Sequence, residues 1–281
     1  MNPKQLLDEA VATLEAGGVE SARNDAEILL SHVLGMPRAL VAVTGRPQPD
    51  QLSVFRTMVD ARAARTPLQH LTGRAGFRYV DLDVGPGVFV PRPETELLAG
   101  WAIEAALAVA GSPVVVDLCT GSGAIALSVV HEVPAATVHA VELDEAALGW
   151  AARNLAGTGV DLRLGDAADA FPDLDGTVDV VVANPPYIPL DAWESVAPEA
   201  RDHDPALALW SGDDGLDAIR AIEQTAWRLL KPGGVLGIEH ADAQGESAPA
   251  VFTGAKDGRW RDVRDNPDLA GRPRFVTTRR A

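Results

Sequence analysis

The sequence predicts an α/β fold: a mostly parallel sheet covered by helices, preceded by a small helical N-terminal domain that a β-hairpin joins to the sheet. Three observations predict this class. Apolar residues keep helical spacing through about the first 75 residues, apolar and polar residues alternate over residues 76–90, and short β-branched runs alternate with helical stretches from residue 97 onward. Near-continuous apolar strands separated by helices are typical of parallel sheets buried on both faces.

The N-terminal segment contains three stretches of apolar residues at helical spacing, separated by glycines and prolines. The apolar positions are Leu6, Leu7, Ala10 and Leu14, then Ala26, Leu29, Leu30 and Val33, then Leu52, Phe55, Met58 and Val59. We therefore expect a helical domain over residues 1–75. The following segment, 76–90, predicts two short strands around a turn at Gly85-Pro86-Gly87, which would link it to a second domain over 91–281.

Five apolar runs predict the parallel strands of the second domain, and two segments near the C-terminus predict a closing pair of strands. The five runs are 114–118, 137–143, 161–166, 178–186 and 235–240, and the closing pair is 260–265 and 274–280. Helical stretches lie between the runs, as parallel strand connections require.

The chain has 281 residues and a formal net charge of −16, and its acids are concentrated in residues 81–255, where the net charge is −21. Such a field repels a nucleic-acid backbone, so we expect no direct nucleic-acid partner. The single cysteine, Cys119, excludes an internal disulfide, and no apolar run is long enough to span a membrane. The first residues have an acid-containing amphipathic pattern rather than that of a signal peptide, so we expect a cytoplasmic protein with no membrane partner.

A glycine-rich turn follows the first predicted parallel strand and precedes a helix. The residues concerned are Asp117, Cys119, Thr120, Gly121, Ser122 and Gly123. Glycines let a ligand approach the backbone closely, and a helix N-terminus offers unpaired N–H groups. Glu142 ends the next strand, where a carboxylate can accept hydrogen bonds from both hydroxyls of a ribose. The pattern predicts a nucleoside cofactor and leaves its identity open, because NAD enzymes share it.

Asp166 and Ala167 follow the third predicted strand. Asp166 is a candidate acceptor for the amino group of an adenine, with Ala167 beside the ring. The alternative is that Asp166 caps the following helix, and the sequence leaves both interpretations open.

The tetrapeptide Asn184-Pro185-Pro186-Tyr187 follows the fourth predicted strand, at the end of a parallel sheet where ligands bind. The prolines remove two N–H donors and leave the carbonyl of Pro185 without a role in the sheet. This carbonyl and the side-chain oxygen of Asn184 are two acceptors, which matches the two hydrogens of a planar NH₂ group. Tyr187 adds a flat face beside them.

Together these motifs resemble the HemK/PrmC family of class I S-adenosylmethionine-dependent methyltransferases. The resemblance is carried by FVPRPETE (89–96), DLCTGSGAIAL (117–127), NPPYI (184–188), PALAL (205–209) with the following SGDDGLDAIR, and upstream by DAEILLSHVLG and PLQHLTGRAGF. It covers nearly the whole chain. It implies a Rossmann-like methyltransferase domain and an N-terminal domain that helps to recognise a macromolecular substrate.

The resemblance further implies transfer of a methyl group from S-adenosylmethionine to the side-chain amide nitrogen, N5, of the glutamine in the Gly-Gly-Gln motif of peptide chain release factors. By matching motifs, Asn184 and Pro185 would hold the amide, and Pro186 and Tyr187 would line the slot. The cofactor residues implied are Asp117, Cys119, Thr120, Gly121, Ser122, Gly123, Glu142, Asp166, Ala167 and Asn184. Cys119 stands where the family more often has glycine, and Ala167 where some members carry an aromatic residue.

Other functions are less compatible with these residues. An adenine-N6 nucleic-acid methyltransferase is the first alternative, since adenine also presents an NH₂ group, but the acidic middle of the chain argues against it. A dinucleotide-dependent oxidoreductase or a non-catalytic binding module has no use for the NPPY motif. The six histidines form no HxxxH or HxH pair, so we expect no metal site.

Five basic residues near the predicted domain junction are candidates to face an acidic surface of the release factor. They are Arg56, Arg62, Arg65, Arg74 and Arg78. The alternative is a solvated helix face without a partner.

Overall fold

The computed structural model describes residues 2–255 and 258–281. Four helices form the N-terminal part: α1 (Pro3–Ala16), α2 (Ala22–Leu34), α3 (Pro49–Ala63) and α4 (Leu68–Thr72). Asn2 caps α1, because its side chain accepts a 2.8 Å hydrogen bond from the backbone N–H of Gln5. The apolar stripes predicted from helical spacing pack into one cluster that includes Leu7, Leu29 and Phe55.

The expected docking role of the basic residues is wrong for Arg62, which is buried. Its Nε lies 2.9 Å from Oδ2 of Asp25, and its Nη1 lies 2.9 Å from Oε1 of Glu199. Arg65 also binds Glu199, at 2.7 Å. A guanidinium leaves water only when carboxylates replace its hydration, and Asp25 and Glu199 supply that replacement within the protein.

The predicted hairpin is present, but its turn lies elsewhere. Its strands are β1 (Arg74–Phe77) and β2 (Val80–Asp83). The chain reverses at Arg78, which has a φ of 51°, and Gly85-Pro86-Gly87 comes after the second strand. The guanidinium of Arg78 binds both carboxylate oxygens of Glu132, at 2.7 and 2.8 Å. This ion pair anchors the turn, so the position predicted from glycine and proline alone is wrong.

The main sheet has seven strands: β3 (Val114–Leu118), β4 (Thr137–Glu142), β5 (Asp161–Leu164), β6 (Val178–Ala183), β7 (Leu230–Glu239), β8 (Trp260–Pro267) and β9 (Pro273–Arg280). Their order is β5-β4-β3-β6-β7-β9-β8. The first five strands in that order are parallel, and β9 pairs antiparallel with both β7 and β8. The predicted parallel sheet with a closing pair is confirmed.

Three strands are shorter than predicted: β4 ends at Glu142 rather than 143, and the other two are β5 and β6. β7 begins at Leu230 rather than 235 and ends at Glu239 rather than 240. β5 ends at Leu164 rather than 166, and β6 ends at Ala183 rather than 186. β6 ends there because Pro185 and Pro186 have no N–H to donate to a neighbouring strand. All six residues of β6 are buried, as expected for a strand covered on both faces.

The remaining helices are α5 (Thr95–Leu107), α6 (Ala124–Glu132), α7 (Glu145–Asn154), α8 (Pro198–His203), α9 (Asp217–Leu229) and α10 (Ser247–Thr253). The chain divides into two compact units. One contains the chain up to Arg74 with Val84–Pro86 and Ala197–His203, and the other contains Ala75–Asp83, Gly87–Val196 and Asp204–Ala281. In the described ranges, every helix is too short or too polar to cross a bilayer.

Candidate active site

The strand order places the predicted motifs together at the carboxyl ends of the parallel strands. From β3 the chain moves outward through β4 and β5, then returns to add β6 on the other side of β3. Ligands of open parallel sheets bind at the carboxyl ends of the strands where the order reverses in this way. The glycine turn follows β3 and the NPPY segment follows β6, so both leave neighbouring strands at this point.

The glycine turn has three residues in the left-handed region: Cys119, Gly121 and Gly123, with φ of 64°, 58° and 84°. A Cβ on Gly123 would approach the side chain of Leu155 to 3.1 Å, whereas the space around Gly121 is open. The backbone at Gly121 can therefore receive a ligand. Cys119 adopts a conformation that costs a non-glycine residue about 1–2 kcal/mol and that glycine adopts without this cost.

Asp117 supports the turn from inside the protein. Its Oδ2 accepts hydrogen bonds from the Thr120 hydroxyl at 2.6 Å and from the Ala126 backbone N–H at 3.2 Å. Its Oδ1 is buried and has no hydrogen-bond partner within the described part of the chain. Burial raises the pKa of Asp117 to about 7. The turn thus holds a buried carboxyl oxygen with unused acceptor capacity.

The backbone of the turn is held from two further sides. The N–H of Thr120 donates to the carbonyl of Val141 at 3.0 Å. Ser122 is buried, and its carbonyl accepts a 2.8 Å hydrogen bond from Nδ2 of Asn154. These bonds fix the turn without using its open face at Gly121.

Glu142 reaches the same turn from the end of β4. Its Oε2 accepts from the backbone N–H of Gly121 at 2.8 Å, and its Oε1 accepts from those of Leu143 and Asp144 at 2.9 and 3.0 Å. Burial raises its pKa, and these three donors act against the rise. A carboxylate has about four acceptor positions, so roughly one stays available on Oε2.

Asp166 and Ala167 follow β5, the neighbour of β4. Asp166 is exposed, and its Oδ1 accepts a 2.9 Å hydrogen bond from the backbone N–H of Ala168 in a local turn. Residues 167–170 form no helix, so the alternative that Asp166 caps one is wrong. Ala167 packs against the main core. Burial raises the pKa of the Cys119 thiol, and the charges of Glu142, Asp117 and Asp166 raise it further, because the three carboxylates lie near the thiol.

The NPPY segment leaves β6 with Pro185 buried and Asn184, Pro186 and Tyr187 half-buried. Nδ2 of Asn184 donates to the hydroxyl of Thr95 at 3.2 Å. Over the ranges that the structure describes, no donor is bonded to the Pro185 carbonyl. The hydroxyl of Tyr187 donates to Oε1 of Glu239 at 3.3 Å, and burial raises the pKa of this tyrosine.

Two residues at this site were given no role from the sequence: Thr95, which begins α5, and Glu239, which ends β7. Both are buried, the Thr95 hydroxyl lies beside the Glu239 carboxylate, and Oε2 of Glu239 has no hydrogen-bond partner in the described ranges. The signal that could have found Glu239 is an acid at the carboxyl end of an otherwise apolar central strand. Residues 2–255 and 258–281 contain no group of three or more His, Cys, Asp or Glu side chains placed to hold a metal ion.

Comparison with known proteins finds a matching family model for each of the two parts of the chain. Residues 5–73 match the model of the PrmC N-terminal domain, and residues 99–197 match that of the methyltransferase small domain. The release factor glutamine methyltransferase of Streptomyces coelicolor is 58% identical over 274 residues, 97% of this chain and 96% of that protein. The protein of the same name from Mycolicibacterium smegmatis is 48% identical, over 98% of this chain and 96% of its own.

A third relative carries a different name. The 4-amino-L-phenylalanine/4-methylamino-L-phenylalanine methyltransferase of Streptomyces pristinaespiralis is 46% identical over 94% of this chain and 90% of its own.

The sheet order, the glycine turn and the NPPY segment define a Rossmann-like, S-adenosylmethionine-dependent methyltransferase. With near full-length relatives at up to 58% identity, the chain belongs to the release factor glutamine methyltransferase family. The resemblance stated from the motifs is therefore confirmed.

Proposed function

We propose that the protein transfers a methyl group from S-adenosylmethionine to the side-chain N5 of the glutamine in the Gly-Gly-Gln motif of a release factor. The observation that carries the proposal is the pair of acceptors at the end of β6. Asn184 turns its nitrogen toward Thr95, which leaves its oxygen for a ligand, and the Pro185 carbonyl has no donor among the described residues. Two adjacent acceptors match the two hydrogens of a primary amide.

An amide nitrogen is a poor nucleophile because its lone pair is delocalised into the carbonyl group. Acceptors on both of its hydrogens favour electron density on nitrogen and orient that nitrogen for in-line attack. Pro186 and Tyr187 line the slot, and the bond from Tyr187 to Glu239 holds the ring in place. As the new N–C bond forms and the S–C bond breaks, the nitrogen becomes acidic and loses a proton to water, so no general base is needed.

The glycine turn fits S-adenosylmethionine by charge. Asp117, Glu142 and Asp166 lie around it, and a cofactor with one net positive charge is attracted where a dinucleotide pyrophosphate would be repelled. The bound cofactor supplies an electrophilic methyl group on its sulfonium. Glu142 would accept a ribose hydroxyl through the free position of Oε2, and the open backbone at Gly121 would lie against the ligand.

The partner in this proposal is a peptide chain release factor, and a cytoplasmic location follows from that partner, since it acts in translation. The names of the Streptomyces coelicolor and Mycolicibacterium smegmatis relatives support the partner. The charge of −21 over residues 81–255 supports a protein over a nucleic-acid substrate.

The test is methyl transfer from labelled S-adenosylmethionine to a purified release factor. A matched control replaces only the glutamine of its Gly-Gly-Gln motif by glutamate, which removes the NH₂ group and keeps the shape. Parallel reactions contain 4-amino-L-phenylalanine or double-stranded DNA. We expect label in the unaltered release factor alone. Label in the glutamate variant, or a higher kcat/KM on either other substrate, contradicts the proposal.

A further inference from the structure

Asn184 can present either end of its amide to the slot, and the two ends have the same shape. The oxygen accepts hydrogen bonds and the nitrogen donates them. Only the oxygen is useful against a substrate NH₂ group, because two facing NH₂ groups have no acceptor between them. The reaction therefore needs something that decides which end of Asn184 faces the substrate.

The hydroxyl of Thr95 is the group that meets the other end of Asn184, at 3.2 Å from Nδ2. A hydroxyl has one hydrogen and two lone pairs. Thr95 is 4% exposed and lies beside the Glu239 carboxylate, whose Oε2 is buried and has no hydrogen-bond partner among the described residues. An ionised carboxylate only accepts hydrogen bonds. Its unpartnered oxygen attracts the single hydrogen of Thr95, which leaves the hydroxyl oxygen of Thr95 to accept from Asn184.

Glu239 is placed for this task by the sheet. In the parallel pairing of β6 with β7, Ala183 stands opposite Ile238, so the next residues along the chain, Asn184 and Glu239, stand at the same level. Glu239 is 1% exposed, and its Oε1 also accepts from the hydroxyl of Tyr187. One buried carboxylate thus binds Tyr187 at one end of the NPPY segment and lies beside the threonine that binds Asn184 at the other end.

We propose that Glu239 and Thr95 are positioning residues: the carboxylate of Glu239 sets the direction of the hydrogen bonds through Thr95, so that Asn184 presents its oxygen to the target amide. Neither residue touches the substrate in this arrangement. The inference rests on the proposed function, because it assigns the acceptor that grips the glutamine amide.

The arrangement depends on the protonation state of Glu239. A protonated Glu239 has its own O–H to donate to Thr95, which frees the hydrogen of Thr95 to turn toward Asn184 and reverse its amide. Burial raises the pKa of Glu239 to about 7. The groups that face it are the hydroxyls of Thr95 and Tyr187, Arg274 from β9, which lowers the pKa, and Glu94 before α5, which raises it.

The ionised form is the competent one, so kcat should fall as the pH drops through about 7. Asp117 titrates in the same range at the cofactor turn. The pH profile of kcat is therefore measured at saturating S-adenosylmethionine with full-length release factor, and wild type is compared with Glu239→Gln. The amide of this variant is isosteric with the carboxyl group and does not titrate, so the acidic fall should be absent from its profile.

Thr95 provides the matched pair of variants. Thr95→Val keeps the shape and removes the hydroxyl, and Thr95→Ser keeps the hydroxyl. We expect Thr95→Val to lower kcat by about 10-fold or more with the Kd for the cofactor unchanged, and Thr95→Ser to stay within about threefold of wild type. Melting temperatures of both variants separate a loss of folding from a loss of orientation.

Three results would overturn the assignment. Thr95→Val within about twofold of wild type would show that the hydroxyl is dispensable, and equal losses in the Val and Ser variants would show a packing role. An acidic fall that persists in Glu239→Gln would assign the titration to another group. Wild type that labels no release factor refutes the proposed function and this inference together, whereas wild-type turnover with any of the three results refutes the inference alone.

Discussion

Asn184→Ala removes the side-chain acceptor assigned to the target amide, and we expect it to separate catalysis from folding. In the folded protein the side chain of this half-buried residue makes one hydrogen bond, from Nδ2 to Thr95 at 3.2 Å. The loss of one such bond lowers the free energy of unfolding by about 1 kcal/mol.

The expected effect on turnover is much larger than that. Deleting one preorganised polar group at a reacting centre typically lowers kcat by about 10²–10³, which corresponds to about 2.7–4 kcal/mol in the activation free energy. The acceptor oxygen of Asn184 is lost while the Pro185 carbonyl stays, so kcat should fall by about 10² and not to zero.

The assay is steady-state methyl transfer to full-length release factor at saturating S-adenosylmethionine. Calorimetry gives the Kd for the cofactor, and urea unfolding gives the stability. A matched control is Asn266→Ala on the edge strand β8, which removes an asparagine with hydrogen bonds to Phe275 and Thr277 without changing the end of β6. We expect the control to keep its kcat even where it loses stability.

Two outcomes would refute the reasoning. A variant that keeps most of its turnover would show that Asn184 has only a structural role, and it would remove the basis of the glutamine-amide mechanism. A variant whose turnover falls only in proportion to the unfolded fraction would do the same. A selective rise in the Kd for S-adenosylmethionine would instead place Asn184 among the cofactor residues.

Three further outcomes are expected. Glu142→Ala should weaken S-adenosylmethionine binding by about 1.5–3 kcal/mol, as measured by calorimetry, and an unchanged Kd would remove Glu142 from the site. Arg62→Ala leaves the buried Asp25 and Glu199 without their guanidinium and should lower the free energy of unfolding by about 3–5 kcal/mol; a loss below about 1 kcal/mol in urea would contradict this. The pKa of Asp117 is about 7 in the folded protein, so its stabilising effect is present at low pH and is lost as the pH rises through about 7. The Tm of the ligand-free protein should therefore fall less between about pH 5 and about pH 8 in Asp117→Asn than in wild type. Equal falls in the two proteins would argue against a raised pKa of the buried Asp117.

Local sequence patterns were sufficient to predict most of the architecture. The run 114–118 became β3 with the same bounds, and the helical stripes around Leu7 and Leu29 became the N-terminal core. These patterns are informative because the side-chain periods of helices and strands are properties of the local backbone. The same applies to the NPPY segment, where the missing N–H groups of two prolines already indicate where β6 must end.

The prediction of the hairpin turn at Gly85-Pro86-Gly87 shows the limit of such patterns. Glycine and proline permit a turn there, but the chain turns at Arg78, where an ion pair with Glu132 from α6 is formed. Arg62 is a similar case, since its charge predicts a surface position until Asp25 and Glu199 surround it. In both cases the deciding partner lies far away in sequence.

By itself the sequence determined the fold class, the order of elements and the residue types at the carboxyl ends of the strands, because these follow from local spacing and from the donors and acceptors each residue carries. Only the tertiary structure decided which atoms face one another. Thr95 and Glu239 share no motif or period with Asn184, and the sheet register and α5 bring their polar atoms into contact. A hydrogen bond depends on distance and direction between atoms, and for residues so far apart along the chain folding alone sets both.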